Sequence, residues 1–316
     1  MLVLFSADHH IKLGQKHVPI EWAKARYHEM FKQLHQLELS VDLHIIGGDF
    51  FDKVPSTEEL ELYFDYVEGC QCKTIIFDGN HEATKKGKTF FSNLKKVTNR
   101  INSYVQIVDD YYSNDIFDII PYCKLKEFEK VQPEFRNNLL FSHFRGNIEP
   151  HVKAEIDLSL FKRWDTVLAG DLHDKECSQL NISYPGSPLT TSFHRNRKDT
   201  GVIIIETDTL AQEWVKLELP QLIRKTIQAG EDMPAGEYDH VIYEVEGDMS
   251  QLGNVASSDL IDKKIVKRSS DCALILKPEA TVIEELVEYL KYIAELPDET
   301  VDEVLAEYNN NIKGVL

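Results

Sequence analysis

The sequence predicts an α/β chain whose pattern changes to α+β partway along its length. Short apolar runs rich in β-branched and aromatic residues, typical of buried strands, lie at residues 2–5, 43–46 and 74–77. Between the first two runs, Met30, Leu34 and Leu37 repeat at helical spacing, so that a strand–helix–strand unit is expected. After Tyr104 the apolar runs become shorter, which predicts a change to short strands.

The rest of the first domain is predicted to consist of short strands. Four are expected at residues 105–108, 116–120, 138–142 and 165–169. Three more have the pattern of antiparallel strands and close the domain near residue 220; they lie at residues 180–184, 202–206 and 213–219. A chain of 316 residues is long enough for one large domain and a smaller one.

A second unit is expected to begin near Pro220. Residues 228–237 are polar and contain two glycines and a proline, which predicts a loop, and strands are predicted at residues 238–245 and 271–276. The last segment predicts a helix from apolar residues at three- and four-residue spacing, which are Ile283, Leu286, Leu290 and Ile293. The expected parts of the chain are residues 1–220, 221–278 and 279–316.

The composition is ordinary for a globular protein but strongly acidic. Lys and Arg number 35 against 53 Asp and Glu, which gives a formal net charge of −18. No apolar run approaches the roughly 18 residues that cross a bilayer, and residues 1–7 are too short for a signal peptide, so a cytoplasmic protein is expected. The five cysteines are scattered and form no C-x-x-C motif, which favours reduced structural thiols.

Residues of the types that bind metals follow five of the predicted strands. In an open α/β fold, ligands bind just beyond the carboxyl ends of the strands. Carboxylate, amide and imidazole side chains gathered at one such edge predict a metal site. The candidate residues, in chain order, are Asp8, His10, Asp49, Asp52, Asn80, His81, His143, Asp171 and His173.

The order of these motifs resembles the calcineurin-like metallophosphoesterase superfamily. The chain reads D-x-H, G-D-x-x-D, G-N-H-E, an isolated His and G-x-x-H between Asp8 and His173. More narrowly, it resembles the SbcD and Mre-type nuclease subunits, including those of phage recombination systems. Three later segments carry this narrower resemblance: I-P-Y at residues 120–122, Y-P-G-S-P at 184–188 and K-D-T-G followed by an apolar strand at 198–205.

The resemblance implies a fold and a set of partners. The expected architecture is a sandwich of two mixed sheets flanked by helices, with a small α/β capping domain beside the active site and a helical tail. The expected partners are DNA and an SMC-like ABC ATPase of the SbcC type, and a homodimer is left open. From the pattern alone, the tail could equally pack on its own domain or serve as an amphipathic ligand for the ATPase. The resemblance favours the ATPase, and the expected contact residues are Ile283, Leu286, Leu290 and Ile293.

The resemblance also implies the roles of the candidate residues. Two divalent ions, Mn²⁺ first and Mg²⁺ second, would clamp the scissile phosphate. Asp49 would bridge them, with His81 as the general acid and Asp52 as the carboxylate that orients His81. The remaining ligands divide into one set of Asp8, His10 and His173 and another of Asn80, His143 and Asp171.

One position departs from the family pattern. The family has G-H-x-H where this chain has Gly170, Asp171, Leu172 and His173. A carboxylate at residue 171 is a harder and more negative donor than imidazole, which favours Mn²⁺ or Mg²⁺ over softer ions. It also has a shorter reach than imidazole, so that occupancy of the second ion site is left open.

DNA binding has to be reconciled with the acidic charge. Binding to phosphates needs a basic face, and a partner would have to supply part of it. Basic residues just downstream of the site motifs could line a phosphate track, although solvated surface residues would have the same pattern. They are Lys85, Lys86, Arg145, Arg195 and Arg197.

The function predicted from these features is that of a metal-dependent DNA nuclease. It would act on double-stranded ends and hairpins in recombination or repair as the nuclease subunit of an SbcC–SbcD-like complex. If it is encoded by a phage, it would act in the cytoplasm of the bacterial host. Two alternatives remain open. One is a phosphoprotein phosphatase or small-molecule phosphodiesterase on the same fold; the other is a DNA-end adaptor that no longer cuts.

Overall fold

The computed structural model describes residues 1–83, 89–150, 152–266, 281–294 and 296–312. The chain forms two compact units. The first comprises residues 1–225 and 233–243, and the second comprises residues 226–232 and 244–316. The chain therefore crosses from one unit to the other after residues 225, 232 and 243, and the second of these crossings lies within the loop predicted at residues 228–237.

The strands of the described chain are numbered β1 to β14. They are β1 (Leu2–Ser6), β2 (Leu43–Gly47), β3 (Lys73–Phe77), β4 (Val105–Val108), β5 (Tyr112–Ser113), β6 (Asp118–Ile120), β7 (Leu139–His143), β8 (Thr166–Gly170), β9 (Ile182–Ser183), β10 (Gly201–Glu206), β11 (Gln212–Lys216), β12 (Leu222–Gln228), β13 (His240–Gly247) and β14 (Ile261–Val266). The predicted strand at residues 271–276 lies outside the described residues.

The α-helices of the described chain are numbered in the same way. They are α1 (Ile20–Glu38), α2 (Thr57–Gly69), α3 (Phe91–Ile101), α4 (Tyr122–Val131), α5 (Met249–Asn254), α6 (Val282–Glu288) and α7 (Asp298–Ile312). Helix α2 begins with a capping box, in which Ser56 accepts from the Glu59 N–H and the Glu59 carboxylate accepts from the Ser56 N–H. None of the described helices is both long enough and apolar enough to span a membrane.

The first unit is a sandwich of two sheets. One sheet has six strands in the order β11-β10-β1-β2-β3-β4, and the other has five in the order β5-β6-β7-β8-β9. A third sheet has the order β12-β13-β14. Strands β1 to β4 are parallel, as are β6 to β9, so that within each sheet these strands end at a common edge. The predicted two-sheet architecture with flanking helices is confirmed.

The prediction that residues 180–184 form an antiparallel strand is wrong. Strand β9 pairs in parallel with β8, with Val167 opposite Ile182. Residues 171–181, between β8 and β9, include a short 3₁₀ helix at Lys175–Cys177. This connection carries the chain back across the sheet instead of turning it directly, so that β9 runs in the same direction as β8.

The period-two alternation of the strands divides the core into layers. Along β1, Val3 and Phe5 face a cluster between the sheets that also contains Phe141 of β7, whereas Leu4 faces a second cluster packed on α1, α2 and α3. A third cluster covers the outer face of the five-stranded sheet and includes Phe128 of α4. Each sheet is thereby buried on both faces.

The tail is helical, as predicted. Helix α6 has a capping box between Thr281 and Glu284, continues into a π-helical turn at Tyr289–Ile293, and is followed by α7. Leu290 and Val301 are buried, whereas Ile283 is 40% exposed. The tail thus has a small apolar interior and an exposed apolar remainder.

Removing the Phe141 ring should destabilise the first unit. The ring is fully buried between the sheets and lies 5.4 Å from the rings of both Phe5 and Phe117. Phe141→Ala should lower the free energy of unfolding by about 3–5 kcal/mol in chemical denaturation. Tyr104→Ala, at a side chain that is 60% exposed, is the control and should cost less than about 0.5 kcal/mol. Equal losses for the two variants would contradict the layered core.

Candidate metal centre

The predicted ligands lie where the strands end, on loops with unusual backbone conformations. Asp8, His10, Asp49 and Asp171 all have positive φ, at 58°, 44°, 51° and 97°. This region costs a non-glycine residue about 1–2 kcal/mol. Backbone hydrogen bonds hold two of the loops together, from Asp8 N to Gly48 O at 3.1 Å and from His10 N to Asp49 O at 2.9 Å. Strain of this kind accumulates at functional sites, where the surrounding structure can support it.

Asp8, His10 and His173 form one group of potential ligands. The Nε2 atoms of His10 and His173 are 3.0 Å apart, and each lies 3.9 Å from Asp8 Oδ1. Asp8 and His10 are buried, whereas the His173 side chain is 40% exposed. Three donor atoms at these distances can face a single cation. The structure brings together the three residues that were expected to form one ligand set.

Asp49 lies between this group and a second one. Its Oδ2 atom is 3.7 Å from His10 Nε2 on one side and 3.4 Å from His143 Nε2 on the other. Asp171 Oδ1 is 3.8 Å from His143 Nε2, and the Asn80 amide is 3.1 Å from the same nitrogen. His143 is oriented by a hydrogen bond of 2.7 Å between its Nδ1 and Gly47 O. This position between the two groups is the one that a bridging carboxylate requires.

The arrangement of acceptors fits a bound cation. The terminal amide atom of Asn80 that faces the site lies 2.7 Å from Asp49 Oδ2. When nitrogen occupies that position, the amide donates to Asp49; when oxygen occupies it, the amide oxygen joins the carboxylate in facing the site. Carboxylate and amide oxygens together with imidazole nitrogens suit Mn²⁺ or Mg²⁺. The described residues therefore fit a divalent metal centre.

His81 is held by the backbone of Asp52, and this corrects one sequence prediction. His81 Nδ1 lies 2.5 Å from the Asp52 carbonyl oxygen, and its Nε2 lies 3.8 Å from Asp49 Oδ2. The Asp52 carboxylate, which was expected to orient His81, instead forms an ion pair with Lys12 at 2.8 Å and lies 3.6 Å from His10 Nδ1. The turn that follows β2 points the carbonyl towards His81 and the side chain towards the loop that follows β1.

Burial and mutual charge set the proton affinities of the metal-free site. Burial raises the pKa of Asp8 to about 7, although His143 opposes the shift. Burial also disfavours the charged form of Asp49, but the nearby His143 outweighs it and holds the pKa of Asp49 at about 2. The pKa of His143 rises because Asp49 outweighs the effect of its burial. Asp49 and His143 therefore form a buried ion pair when no metal is bound.

Glu82 is a site residue to which sequence reasoning assigned no role. Its carboxylate accepts hydrogen bonds from the backbone N–H groups of Asp49, Phe51 and Gly79, at 3.0, 2.9 and 2.9 Å. It thereby joins the loop after β2 to the loop after β3. Its place in the G-N-H-E motif was the only feature of the sequence that pointed to a role for Glu82. Its burial and its backbone partners cannot be read from the sequence.

Gly79 allows these two loops to approach each other. A Cβ atom at residue 79 would lie 2.1 Å from Asp49 Oδ1 and 2.5 Å from Asp49 N. Both are far below a van der Waals contact, and one involves backbone that cannot move freely. Glycine at this position is therefore required for Asp49 to reach the centre of the site.

The five residues predicted to bind DNA differ from one another in burial and in charged partners. Arg197 donates from Nη1 to both carboxylate oxygens of Asp239, at 2.5 and 2.6 Å, so that its charge is already neutralised and a DNA contact is not favoured. Arg145 is partly buried, and its charge acts on Asp171. Arg195 is exposed. Lys85 and Lys86 lie outside the described residues.

Comparison with known proteins gives a consistent result. Residues 1–178 match the family described as calcineurin-like phosphoesterase. "Probable exonuclease subunit 1" of Escherichia phage T5 is 43% identical over 324 residues, which cover 99% of this chain and 99% of that protein. "Putative phosphoesterase 244L" of Invertebrate iridescent virus 6 is 26% identical and covers 71% of this chain and 81% of its own. A solved archaeal phosphodiesterase covers 69% of this chain and 100% of its own, with 15% identity and a TM-score of 0.38.

Raising the pH should destabilise the metal-free protein. Burial raises the pKa of Asp8 to about 7 and that of Glu82 to about 8, whereas carboxyl groups in an unfolded chain titrate near about 4. The folded state therefore retains protons that the unfolded state has lost, and stability falls as the pH rises through the folded pKa values. The raised pKa of His143 acts in the same direction.

The measurement is the thermal unfolding midpoint in EDTA at about pH 7.5 and about pH 8.5. This window lies above the ordinary histidine pKa of about 6.5, below which the lowered pKa values of His9 and His173 act in the opposite direction. The midpoint should be lower at the higher pH. Added Mn²⁺ should stabilise the protein more at the higher pH, because the metal displaces the protons of its ligands. A midpoint in EDTA that rises across this window would contradict the electrostatic account.

Proposed function

The chain belongs to the calcineurin-like phosphoesterase family, and we propose that it is a metal-dependent DNA nuclease that acts as one subunit of a complex with an SMC-like ABC ATPase. The observation that carries the proposal is the position of Asp49 between two groups of metal-binding side chains, 3.7 Å from His10 and 3.4 Å from His143. A shared carboxylate suits a two-metal phosphoesterase site. The choice of DNA as substrate rests on the resemblance to the phage T5 protein named as an exonuclease subunit.

Two divalent ions, Mn²⁺ or Mg²⁺, would supply charge neutralisation at the phosphate and activation of the attacking water. In this proposal Asp49 would hold both ions, with Asp8, His10 and His173 on one of them. Asn80, His143 and Asp171 would hold the other. The hydrogen bond that His143 Nδ1 donates to Gly47 O fixes the ring so that Nε2 faces the site.

His81 is proposed as the general acid. A carbonyl oxygen can only accept, so the contact with Asp52 O requires a proton on His81 Nδ1 and leaves Nε2 facing the site. In the imidazolium form, Nε2 also carries a proton and can donate it to the leaving sugar oxygen. In the neutral form, Nε2 would be a potential metal ligand, so the two roles have to be separated by experiment.

The variants Asp49→Ala and His81→Ala should separate metal binding from proton transfer. Asp49→Ala should lose both Mn²⁺ binding and cleavage of an end-labelled DNA duplex, because one carboxylate serves both ligand groups. His81→Ala should retain both Mn²⁺ equivalents in calorimetry and lose about 10²–10⁴-fold in cleavage rate. Asp115→Ala, at an exposed carboxylate, is the control and should behave as the wild type in both measurements.

Substrate choice is tested in the same experiment. With Mn²⁺, the wild type should cut the duplex far faster than p-nitrophenyl phosphate or a phosphopeptide. A preference for either of those compounds would favour the phosphatase or small-molecule phosphodiesterase. Mn²⁺ binding without turnover of any of the three substrates would favour the non-cutting DNA-end adaptor. A His81→Ala protein that loses one Mn²⁺ equivalent would make His81 a ligand.

DNA contact is proposed for Arg145 and Arg195. Arg145 lies close enough to the metal centre for its charge to act on Asp171, and Arg195 is exposed in the first unit. With a net charge of −18, the chain as a whole repels a polyanion. In this proposal the partner therefore supplies most of the electrostatic affinity for DNA.

The tail is proposed as the ATPase-binding segment. The named relative is a subunit, which supports an assembly of several chains. Of the predicted contact residues, Leu290 is buried, Leu286 and Ile293 are partly buried, and Ile283 is exposed. Val282, Tyr289 and Tyr292 add exposed apolar surface, at 66%, 49% and 67%. We expect the partner to cover this exposed surface and not the Leu290 side chain.

Deleting residues 281–316 should separate the two activities of the subunit. Mn²⁺-driven cutting by the lone protein should persist, because every proposed catalytic residue lies in the first unit. Co-purification with a co-expressed SMC-like ABC ATPase and ATP-stimulated cutting should be lost together. A truncated chain that still co-purifies with the ATPase would show that the tail serves the fold of the subunit itself.

A further inference from the structure

A buried series of polar side chains runs from the metal centre to the helix layer. His9 Nε2 lies 2.9 Å from Ser6 Oγ, Ser6 Oγ lies 2.8 Å from His44 Nε2, and His44 Nδ1 lies 2.8 Å from Glu38 Oε1. All four residues are at most 1% exposed. His9 lies between the proposed ligands Asp8 and His10 in the sequence, and Glu38 is the last residue of α1.

The donors and acceptors of these groups fix the direction in which each hydrogen bond of the series is donated. The Glu38 carboxylate can only accept, so His44 Nδ1 carries a proton. In the neutral ring, His44 Nε2 then accepts the Ser6 hydroxyl proton, and Ser6 Oγ accepts from His9 Nε2–H. Each polar atom of the series is paired with the next, which a buried polar series needs in order to stabilise a fold. His9 Nδ1 is the exception and has no partner among the described residues.

Glu38 is itself fixed from two further directions. Its Oε2 atom accepts from the backbone N–H of Gln71 at 2.7 Å, and its Oε1 atom accepts from the Tyr66 hydroxyl at 3.2 Å. Tyr66 lies on α2 and Gln71 lies between α2 and β3. The carboxylate therefore joins α1, α2, β2 and the segment that precedes β3, which gives the series a rigid base.

Ser, His and Glu in this order are also the residues of a nucleophile triad, and the contact distances would suit one. Burial rules out that role. Ser6 and His44 are completely inaccessible, on the two adjacent strands β1 and β2. The Ser6 hydroxyl already lies between two imidazole nitrogens. A substrate carbonyl or phosphate could not reach it.

The loop that carries His9 needs such support because it is strained. Asp8 and His10, on either side of His9, have φ values of 58° and 44°. This left-handed backbone conformation is unfavourable for a residue that has a side chain. Backbone bonds to Gly48 and Asp49 and ring packing of His9 against Phe50, at 5.0 Å, hold one side of the loop. The Ser6 hydrogen bond holds the His9 ring from the interior.

We propose that Ser6, His44 and Glu38 are positioning residues that hold His9 and thereby keep Asp8 and His10 in the conformation that binds metal. This inference rests on the metal site of the proposed function but not on its substrate. Groups that orient the residues bound to a metal typically contribute about 10–100-fold in metal affinity. A purely structural role would lower stability and leave the affinity for Mn²⁺ unchanged.

The test compares Mn²⁺ binding and stability in full-length variants stripped with EDTA. Ser6→Ala removes the central hydroxyl and should weaken at least one Mn²⁺ equivalent by about 10-fold or more in calorimetry. Glu38→Gln should also weaken Mn²⁺ binding, because an amide cannot replace both acceptor oxygens. This variant tests the proposal if Ser6→Ala does not fold. Ser6→Cys retains a weaker donor and acceptor and should fall between Ser6→Ala and the wild type.

Thr98→Val is the matched control. It removes a buried hydrogen bond of 2.7 Å to the Tyr63 hydroxyl and does not touch the metal-binding loop. Its unfolding midpoint should fall while its Mn²⁺ affinity stays that of the wild type. The inference is overturned if Ser6→Ala, or Glu38→Gln in its place, loses stability as Thr98→Val does and binds Mn²⁺ as the wild type does. These binding measurements contain no DNA and do not depend on the substrate. If the wild type binds Mn²⁺ here but fails to cut DNA in the cleavage assay, only the nuclease proposal is refuted.

Discussion

Buried carboxylates at the edge where the strands end repel one another, and the surrounding structure has to hold them together against that repulsion. Donor atoms of Asp8, Asp49 and His143 lie within 4.8 Å of one another. Two like unit charges at that distance repel by about 3–4 kcal/mol at an effective dielectric constant of about 20. Without metal, the chain responds by protonation and by the Asp49–His143 ion pair, as the raised pKa of Asp8 shows. Divalent cations would remove the repulsion and the need for those protons together.

Several features around the site hold the carboxylates and imidazoles in place. Glu82 uses a carboxylate to gather three backbone N–H groups, and Gly79 lets two loops approach to a distance that no side chain would permit. The positive φ values of Asp8 and Asp49 add a local cost. The buried series ending at Glu38 lies beneath the same loops. The stability of the site is therefore supplied by the two sheets and the helices packed on them.

The sandwich also keeps the interior beneath the site dry. Phe5, Phe77 and Phe141 are completely buried in the cluster between the sheets. In an environment of low dielectric constant, the ion pair and the hydrogen bonds of the site are stronger than they would be in water. The same environment makes an unpaired charge more costly. Because the apolar core makes unpaired charges at the site more costly, it increases the stabilisation that a bound cation would provide.

Most strands of the first unit, the helical tail and the residue types at the strand ends could be predicted from the sequence alone. Strand period and residue type are local properties, and the parallel order of β1, β2 and β3 places their carboxyl ends at one edge. Asp8, His10 and Asp49 follow β1 and β2 and could therefore be placed at one edge before any distance was known. His143 and His173 lie at the ends of strands in the other sheet, and the family resemblance added them to the site.

The individual roles of these side chains depend on contacts that exist only in the folded protein. The sequence showed Asp52 near His81 but not that its carbonyl faces His81 while its carboxylate faces Lys12, because one turn separates the directions of the two groups. The partners of Glu82 and the series from His9 to Glu38 join residues distant in the chain. Their physical basis is burial, which removes water as an alternative partner and makes each polar contact obligatory. Burial is a property of the packed sheets, and no short stretch of sequence contains it.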